Sequence, residues 1–423
     1  MNSTLRTEQF PGIYDQFAKL LNGKPWLDAT RKLKYQITEN PLAHERIFME
    51  NLIAYGLSYF EKGGIQLEGS DAWPAVLHAI SFAAQVCDLV AKAENQKGRQ
   101  AYLKRINGAF LNPAEIRAIR FENLTALALH RHGASLEWPD AESGPETYDL
   151  LVTSTSGTEF EFECKSCSQD KGQPITKQDA DAFHHRILKR LLPKPNPGEL
   201  LFLKIRVPKR LPKNVRELDQ LAAAVLNACS ESLPITSCGT SVSVHRIPLA
   251  IHPGQPLSQS ALDTAANSVS GGEEGFRGYV CIDSKASALC VEICSEQAPD
   301  IYRAWWRTAK HAVQNQMTGT RPGCLVLRIE GLLKDDLAQL TRDPINPLVE
   351  FATKVLDDPR HKHLVAVAYV SDEVMVEVEA LTLSAQSTTY VVQRPDNPYR
   401  KDILQLILGT HQTTTEKTCR TTS

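Results

Sequence analysis

The chain has 423 residues, 42% hydrophobic and 23% charged, with a formal net charge of −2. That length can bury two ordinary cores, and the balance of charge excludes a chain that is basic throughout. The N-terminus MNSTLRTEQFPGIYDQF has no apolar leader, and no apolar run is expected to cross a bilayer, so a cytoplasmic protein without membrane contact is expected.

From 1 to about 100 the pattern is helical: apolar residues recur at three- and four-residue spacing in Pro41 to Phe60 and in Trp73 to Ala93. Asn112-Pro113 then opens a strong helix that ends near His132, with Gly133 behind it. A short strand near 134–138 and a polar loop, 139–146, lead to two alternating strands. These are Tyr148 to Thr155 and Thr158 to Ser166, turned at Ser156-Gly157. A helix over 176–192, the strand LLFLKIRV, a helix over 214–230 and a strand over 241–249 come next. Residues 252–276 are rich in Gly, Ser, Pro and Gln and are expected to be a linker. Beyond them strands are expected near 278–284, 288–294, 323–329, 363–370 and 373–380. Helices are expected over 299–317, 333–341 and 346–357, before a polar tail.

The hairpin 148–166 carries the chemistry. Glu159, Glu161, Glu163 and Lys165 share one face of the second strand, and the turn brings Asp149 nearly opposite Glu163. Such a pair has its Cβ atoms within about 5 Å, a costly arrangement for two carboxylates unless a cation separates them. Asp149, Glu163 and the main-chain carbonyl of Cys164 offer oxygen ligands suited to Mg2+. Lys165 stands alongside to orient or deprotonate an attacking water and to offset negative charge.

The segment YDLLVTSTSGTEFEFECKS resembles the PD-(D/E)xK signature of restriction-endonuclease-like nucleases: Asp149, thirteen intervening residues, then Glu163-Cys164-Lys165. Tyr148 replaces the proline that usually precedes the first acid, which removes no ligand. RFENLTALALHRHG is similar to the Glu-bearing first helix of the Mrr-like branch, which implies that Glu122 is a further metal-binding or water-positioning carboxylate. Glu115, on about the same helix face, is its rival. The resemblance also implies that the helix after the motif meets the phosphates, with Gln178, His184, His185 and Arg186 as candidates. It spans roughly 112 to 250.

The fold expected is α/β: the resemblance implies a restriction-endonuclease-like mixed sheet flanked by helices, and the pattern outside it adds a helical N-terminal cap and a second α/β domain at the C-terminus. The expected division is 1–108 helical, 109–251 nuclease, 252–276 linker, 277–410 C-terminal domain and 411–423 disordered tail. The implied activity is Mg2+-dependent endonucleolytic hydrolysis, with Mn2+ as substitute, and the implied substrate is double-stranded DNA. A role in defence against foreign DNA is expected by analogy. The alternatives are an inactive nuclease-fold subunit that binds nucleic acid or serves as a scaffold, and an RNA-processing endonuclease. A protein partner or a homodimer is expected through the C-terminal domain.

Other features read more blandly. Glu159, Glu161 and Glu163 are also what the wet face of an amphipathic strand looks like, with Lys165 as ion-pair partner. Ten cysteines scattered along the chain read as reduced, buried thiols; Cys290 and Cys294 could complete a zinc site with the single CxxC, Cys164 and Cys167, but Cys164 and Cys290 sit at inward-looking strand positions. From Arg186 to Arg216 there are ten Lys or Arg against one acid, Glu199, a local basic surface. Arg303, Arg307, Lys310 and Gln314 form a polar stripe on a C-terminal helix. The β-β-α-β order over 278–329 echoes the nuclease core, with Asp283 and Glu292 where its acids would fall and Cys294 in place of lysine.

Overall fold

Boundaries follow the caps and turns closely. The computed structural model describes residues 3–409 except 94, 140–147, 169, 191–194, 232, 237, 250–257, 271–274, 283–286, 344 and 380–381. The polar loop after Pro139, Lys194, Asp283 and the tail at 411–423 therefore lie outside the described residues. In chain order the elements are β1 Ser3–Arg6, α1 Phe10–Leu20, α2 Pro25–Glu39, α3 His44–Glu50, α4 Leu52–Gly63, α5 Trp73–Lys92, α6 Gln96–Ala109 and α7 Pro113–Arg131. Then come β2 Ser135–Glu137, β3 Leu150–Thr153, β4 Glu159–Cys167, α8 Lys177–Arg190, β5 Glu199–Val207, α9 Val215–Ser230, β6 Ser241–Pro248 and α10 Gln259–Ser270. They are followed by β7 Phe276–Ile282, β8 Ser287–Ser295, α11 Ile301–His311, β9 Gly323–Ile329, α12 Lys334–Arg342 and α13 Pro347–Asp357. The last are β10 Leu364–Val370, β11 Val374–Glu379, β12 Thr382–Gln386, β13 Thr389–Gln393 and α14 Arg400–Leu408.

The protein is thus α/β with mixed sheets, but the linear division expected at 109–251 and 277–410 is not the one observed. Two compact units form: Met1–Thr30, Asn51–Gln169 and Tyr302–Ser423 make unit 1, and Arg31–Glu50 with Asp170–Ile301 make unit 2. Unit 1 holds a six-stranded sheet ordered β13-β10-β9-β4-β3-β2 and a small sheet β1-β12-β11. Unit 2 holds the four-stranded sheet β6-β5-β8-β7. The neighbour of β4 is therefore β9, parallel to it, with Glu163 beside Leu325 and Lys165 beside Leu327. β5 and β6, expected beside the motif, pair instead with β8 and with each other. Residues 278–329 are not a second copy of the core, because β7 and β8 belong to one sheet and β9 to the other. At the two ends of the main unit 2 segment, Asp300 N donates to Gly172 O at 2.8 Å, which clamps entry to exit.

In unit 1 each face of the large sheet is buried under helices. Phe160, Phe162, Cys164, Cys324 and Val326 pack with Phe121 and Leu127 of α7 and Ile403 of α14. Leu325, Leu327, Val367 and Tyr369 pack on the other face with Ala309 of α11 and Phe351 of α13. Strands covered on both sides become uniformly apolar, as in LVAVAYV of β10, buried throughout. The N-terminal helices bury a separate cluster around Phe17, Trp26 and Phe82. Against expectation, α5 is long and apolar enough to cross a bilayer, yet 67% of its apolar window is buried inside the protein.

In unit 2, α8 and α9 cover one face of the sheet. The other packs on Leu262 and Ala266 of α10. That helix is a correction to the linker expected at 252–276: Leu262 and Ala266 are four apart and give it one apolar stripe.

Candidate active site

The site forms where a hairpin runs out. The β3–β4 ladder begins at Glu159 beside Thr153 and ends at Phe162 beside Leu150. Its turn needs a left-handed residue, supplied by Gly157 with φ +84. β4 continues to Cys167, so from Glu163 onward its edge on the β3 side has no strand partner. Asp149, the last residue before β3, fills that gap: its Oδ2 accepts from Cys164 N at 2.7 Å, and its own amide donates to Glu163 Oε2 at 3.2 Å. The Cys164 carbonyl lies on the same side of the strand as its amide.

Glu163 is fully buried and accepts a hydrogen bond from Lys165 Nζ. α7 brings Glu122, also buried, to the same acids. Burial first, and then the Glu122 charge, push the Asp149 carboxyl up to about 6, with Lys165 and the Cys164 amide opposing. Burial and the Asp149 charge push Glu163 up to about 8, against the pull of Lys165. Lys165 loses by burial but is raised overall by Glu163 and Asp149. Buried Glu122 and Glu163 and half-buried Asp149 thus share one lysine and one arginine, and negative charge is in surplus.

The arginine is Arg105 of α6, a residue that the sequence pattern does not single out. It grips Glu122 with both terminal nitrogens, at 2.5 and 2.8 Å, and Glu115 through Nε at 2.5 Å. Glu122, not Glu115, is the buried acid coupled to the site, while Glu115 remains about one-third exposed. The α6–α7 hairpin turns at Asn112-Pro113, so residues equally far to either side of the turn meet; that spacing is the signal for Arg105.

The wet-strand reading of the glutamates fails for two of the three. Glu161 and Glu163 are fully buried. Glu161 accepts from Thr318 N at 2.8 Å and lies near Arg321, whereas Glu159 is exposed and pairs with Arg321 at 2.9 Å. Cys164 and Cys167, three apart on a strand, point to opposite faces and cannot chelate one ion together.

The phosphate contacts expected on α8 belong to unit 2, not to the sheet that carries Glu163. His184 is a core residue, 1% exposed. Neither of its ring nitrogens has a hydrogen-bond partner among the described residues, and burial lowers its pKa to about 4. Arg186 bonds Ala182 O and Asp219, Gln178 is exposed in the first turn, and His185 is half-buried. The Glu163 face of the unit 1 sheet is covered by α13 and by α11, whose Ala309 packs with Leu325 and Leu327. In α11, Arg303 and Arg307 are exposed, and Gln314, just beyond it, bonds His361 at 3.0 Å.

The donor set suits a hard divalent ion in kind: carboxylates plus a strand-edge carbonyl, with charge that a cation would balance. In this arrangement each acid is already held, Glu122 by Arg105, Asp149 by the Cys164 amide and Glu163 by Lys165. Among the described residues no three His, Cys, Asp or Glu side chains converge at ligand spacing. Loading an ion therefore requires Lys165 to leave Glu163.

No protein-family model matches the chain, and no curated protein or solved structure matches it either.

Proposed function

We propose that unit 1 is a metal-dependent phosphodiesterase of the PD-(D/E)xK, restriction-endonuclease-like kind, acting on DNA. The observation that carries this reading is the gathering of Glu122, Asp149 and Glu163 with Lys165 at the open edge of β4. The order α7-β2-β3-β4-α11-β9 within unit 1, with β9 parallel to β4, supports it, because it keeps the helix, three strands, helix and strand expected from 112 onward, with α11 and β9 in place of the helix and strand that directly follow the motif.

Mg2+, when bound, lowers the pKa of its water and neutralises charge at the phosphate. Asp149, Glu163 and the Cys164 carbonyl would hold it, with Glu122 behind them. The chain's own residues do the rest. The Asp149 carboxylate keeps the strand edge in place by bonding the Cys164 amide. Lys165, once off Glu163, aligns the attacking water and balances charge growing on the phosphate oxygens. Arg105 fixes the orientation of Glu122. A cytoplasmic setting and a defence role extend this reading by analogy only.

The test is supercoiled plasmid incubated with the full chain and Mg2+ or Mn2+, beside Glu163→Gln and Lys165→Ala. Nicking by the parent and loss in both variants is the expected result. Cleavage equal in all three points to a contaminant, and no cleavage by any leaves the inactive binding-subunit reading. Structured RNA offered to the same proteins separates an RNA-processing enzyme.

A further inference from the structure

The cations of unit 2 divide by what they touch. Lys204 turns inward to Ser270 O at 2.6 Å, and Arg186 and Arg190 are engaged with Asp219. Beyond the C-terminal end of β5 the pattern changes. Lys209, Arg210 and Arg216 are exposed, and their side chains have no ion-pair or hydrogen-bond partner among the described residues. Lys213 reaches Asp179 at 2.7 Å yet remains 77% exposed. No acid occurs between Leu200 and Arg216.

A run of like charges usually marks no more than a solvated face, but this one stands on a fixed frame. Leu211 is buried in the unit 2 core, between Pro208 and Pro212. Ser295 Oγ donates to Lys209 O at 2.6 Å, and Glu296 N donates to Val207 O at 2.9 Å. The Asn214 side chain caps α9 by accepting from Arg216 N and Glu217 N at 2.8 and 3.4 Å. Cations held on ordered backbone repel one another in the free protein and lose little backbone entropy when a polyanion arrives. Parallel β5 and β8 also end here, the edge at which α/β sheets commonly present ligand contacts.

We propose that the turn after β5 and the start of α9, carrying Lys209, Arg210, Lys213 and Arg216, is a docking surface for the sugar–phosphate backbone of a nucleic-acid duplex. The choice of nucleic acid among polyanions rests on the phosphodiesterase reading of unit 1; the surface itself rests on its own charges. Contacts of this kind are independent of base sequence and release counterions, so log affinity falls with log salt by about 0.9 per phosphate engaged.

The experiment measures fluorescence anisotropy of labelled duplex DNA, and separately duplex RNA, with the full chain carrying Lys165→Ala, in Ca2+ and over a salt series. It compares that protein with the same chain bearing Lys209→Glu, Arg210→Glu and Arg216→Glu, and with the three Gln replacements. All the sites are exposed, so unchanged melting temperatures verify folding. The charge reversals are expected to weaken binding at least tenfold and to flatten the salt slope by about 2 to 3. The Gln set should fall between. Loss on one duplex alone identifies the nucleic acid this surface serves. Binding and slope unchanged in both variant sets, on both duplexes, overturns the proposal. Failure of plasmid cleavage with this binding intact would instead count against the hydrolytic reading.

Discussion

Two buried glutamates, each on an interior strand of its sheet, have opposite surroundings. Glu163 of unit 1 and Glu292 of unit 2 are both fully buried. Glu163 lies beside Asp149 and near Glu122, with Lys165 as its one cation. Glu292 stands opposite Arg277 of β7, pairs with it, and has Lys204 beside it on β5. One acid stands amid surplus negative charge and the other amid surplus positive charge. A buried carboxylate is thus not a site by itself; its neighbours decide whether it is a place for a cation or a rivet in the core.

Replacing each acid tests this contrast with the largest effects. Glu163→Gln should lower metal-dependent plasmid cleavage by about a hundredfold to a thousandfold and leave the protein folded. Glu292→Ala should leave cleavage per folded molecule unchanged but cost about 1–3 kcal/mol of stability, since half-buried Arg277 loses its ion pair and a void replaces the buried carboxylate. Denaturant melts and initial rates on the two variants measure both, and an inverted outcome would break the comparison.

pH sharpens it. In unit 1 the folded chain keeps protons on Asp149 up to about 6 and on Glu163 up to about 8, where unfolded carboxyls have already released them. At these two sites the folded state then binds more protons than the unfolded one, so their contribution to metal-free stability falls as pH rises from about 5 towards 8. Asp149→Asn should flatten that fall and raise Tm at pH 8 by a few degrees, at about 2–4 °C per kcal/mol. Calorimetry across the window checks this, and a Tm that rises with pH in the metal-free parent would contradict it.

Smaller effects lie at the rim. Arg105→Gln removes a competitor for Glu122 and should tighten Mn2+ binding severalfold, worth about 1 kcal/mol, by calorimetric titration. Glu115→Gln, on the exposed side of the same arginine, should change stability by no more than about 0.5 kcal/mol.

The sequence exposes the local part of this design and hides the distant part. Alternation in EFEFECK and the Ser156-Gly157 turn are enough to set Asp149 against Glu163, because hairpin register depends on a few adjacent residues. The pairing of β4 with β9 joins strands more than 150 residues apart, and the long segment between them carries its own sheet, helices and core. Nothing in periodicity distinguishes such an insertion from the next strand of the same sheet, so chain order alone assigns the covering role to α8 and not to α11. Gln178, His184 and Arg186 are misplaced with it. Arg105 escapes notice for another reason: a cation on an amphipathic helix is ordinary until its helix is folded back on the next.

The most direct test is an anomalous-scattering crystal structure of the full chain soaked in Mn2+. The account predicts a manganese peak at the open edge of β4, bounded by Asp149, Glu163 and the Cys164 carbonyl, with Lys165 moved off Glu163. No peak there at saturating Mn2+, with Lys165 still bonded to Glu163, would contradict it.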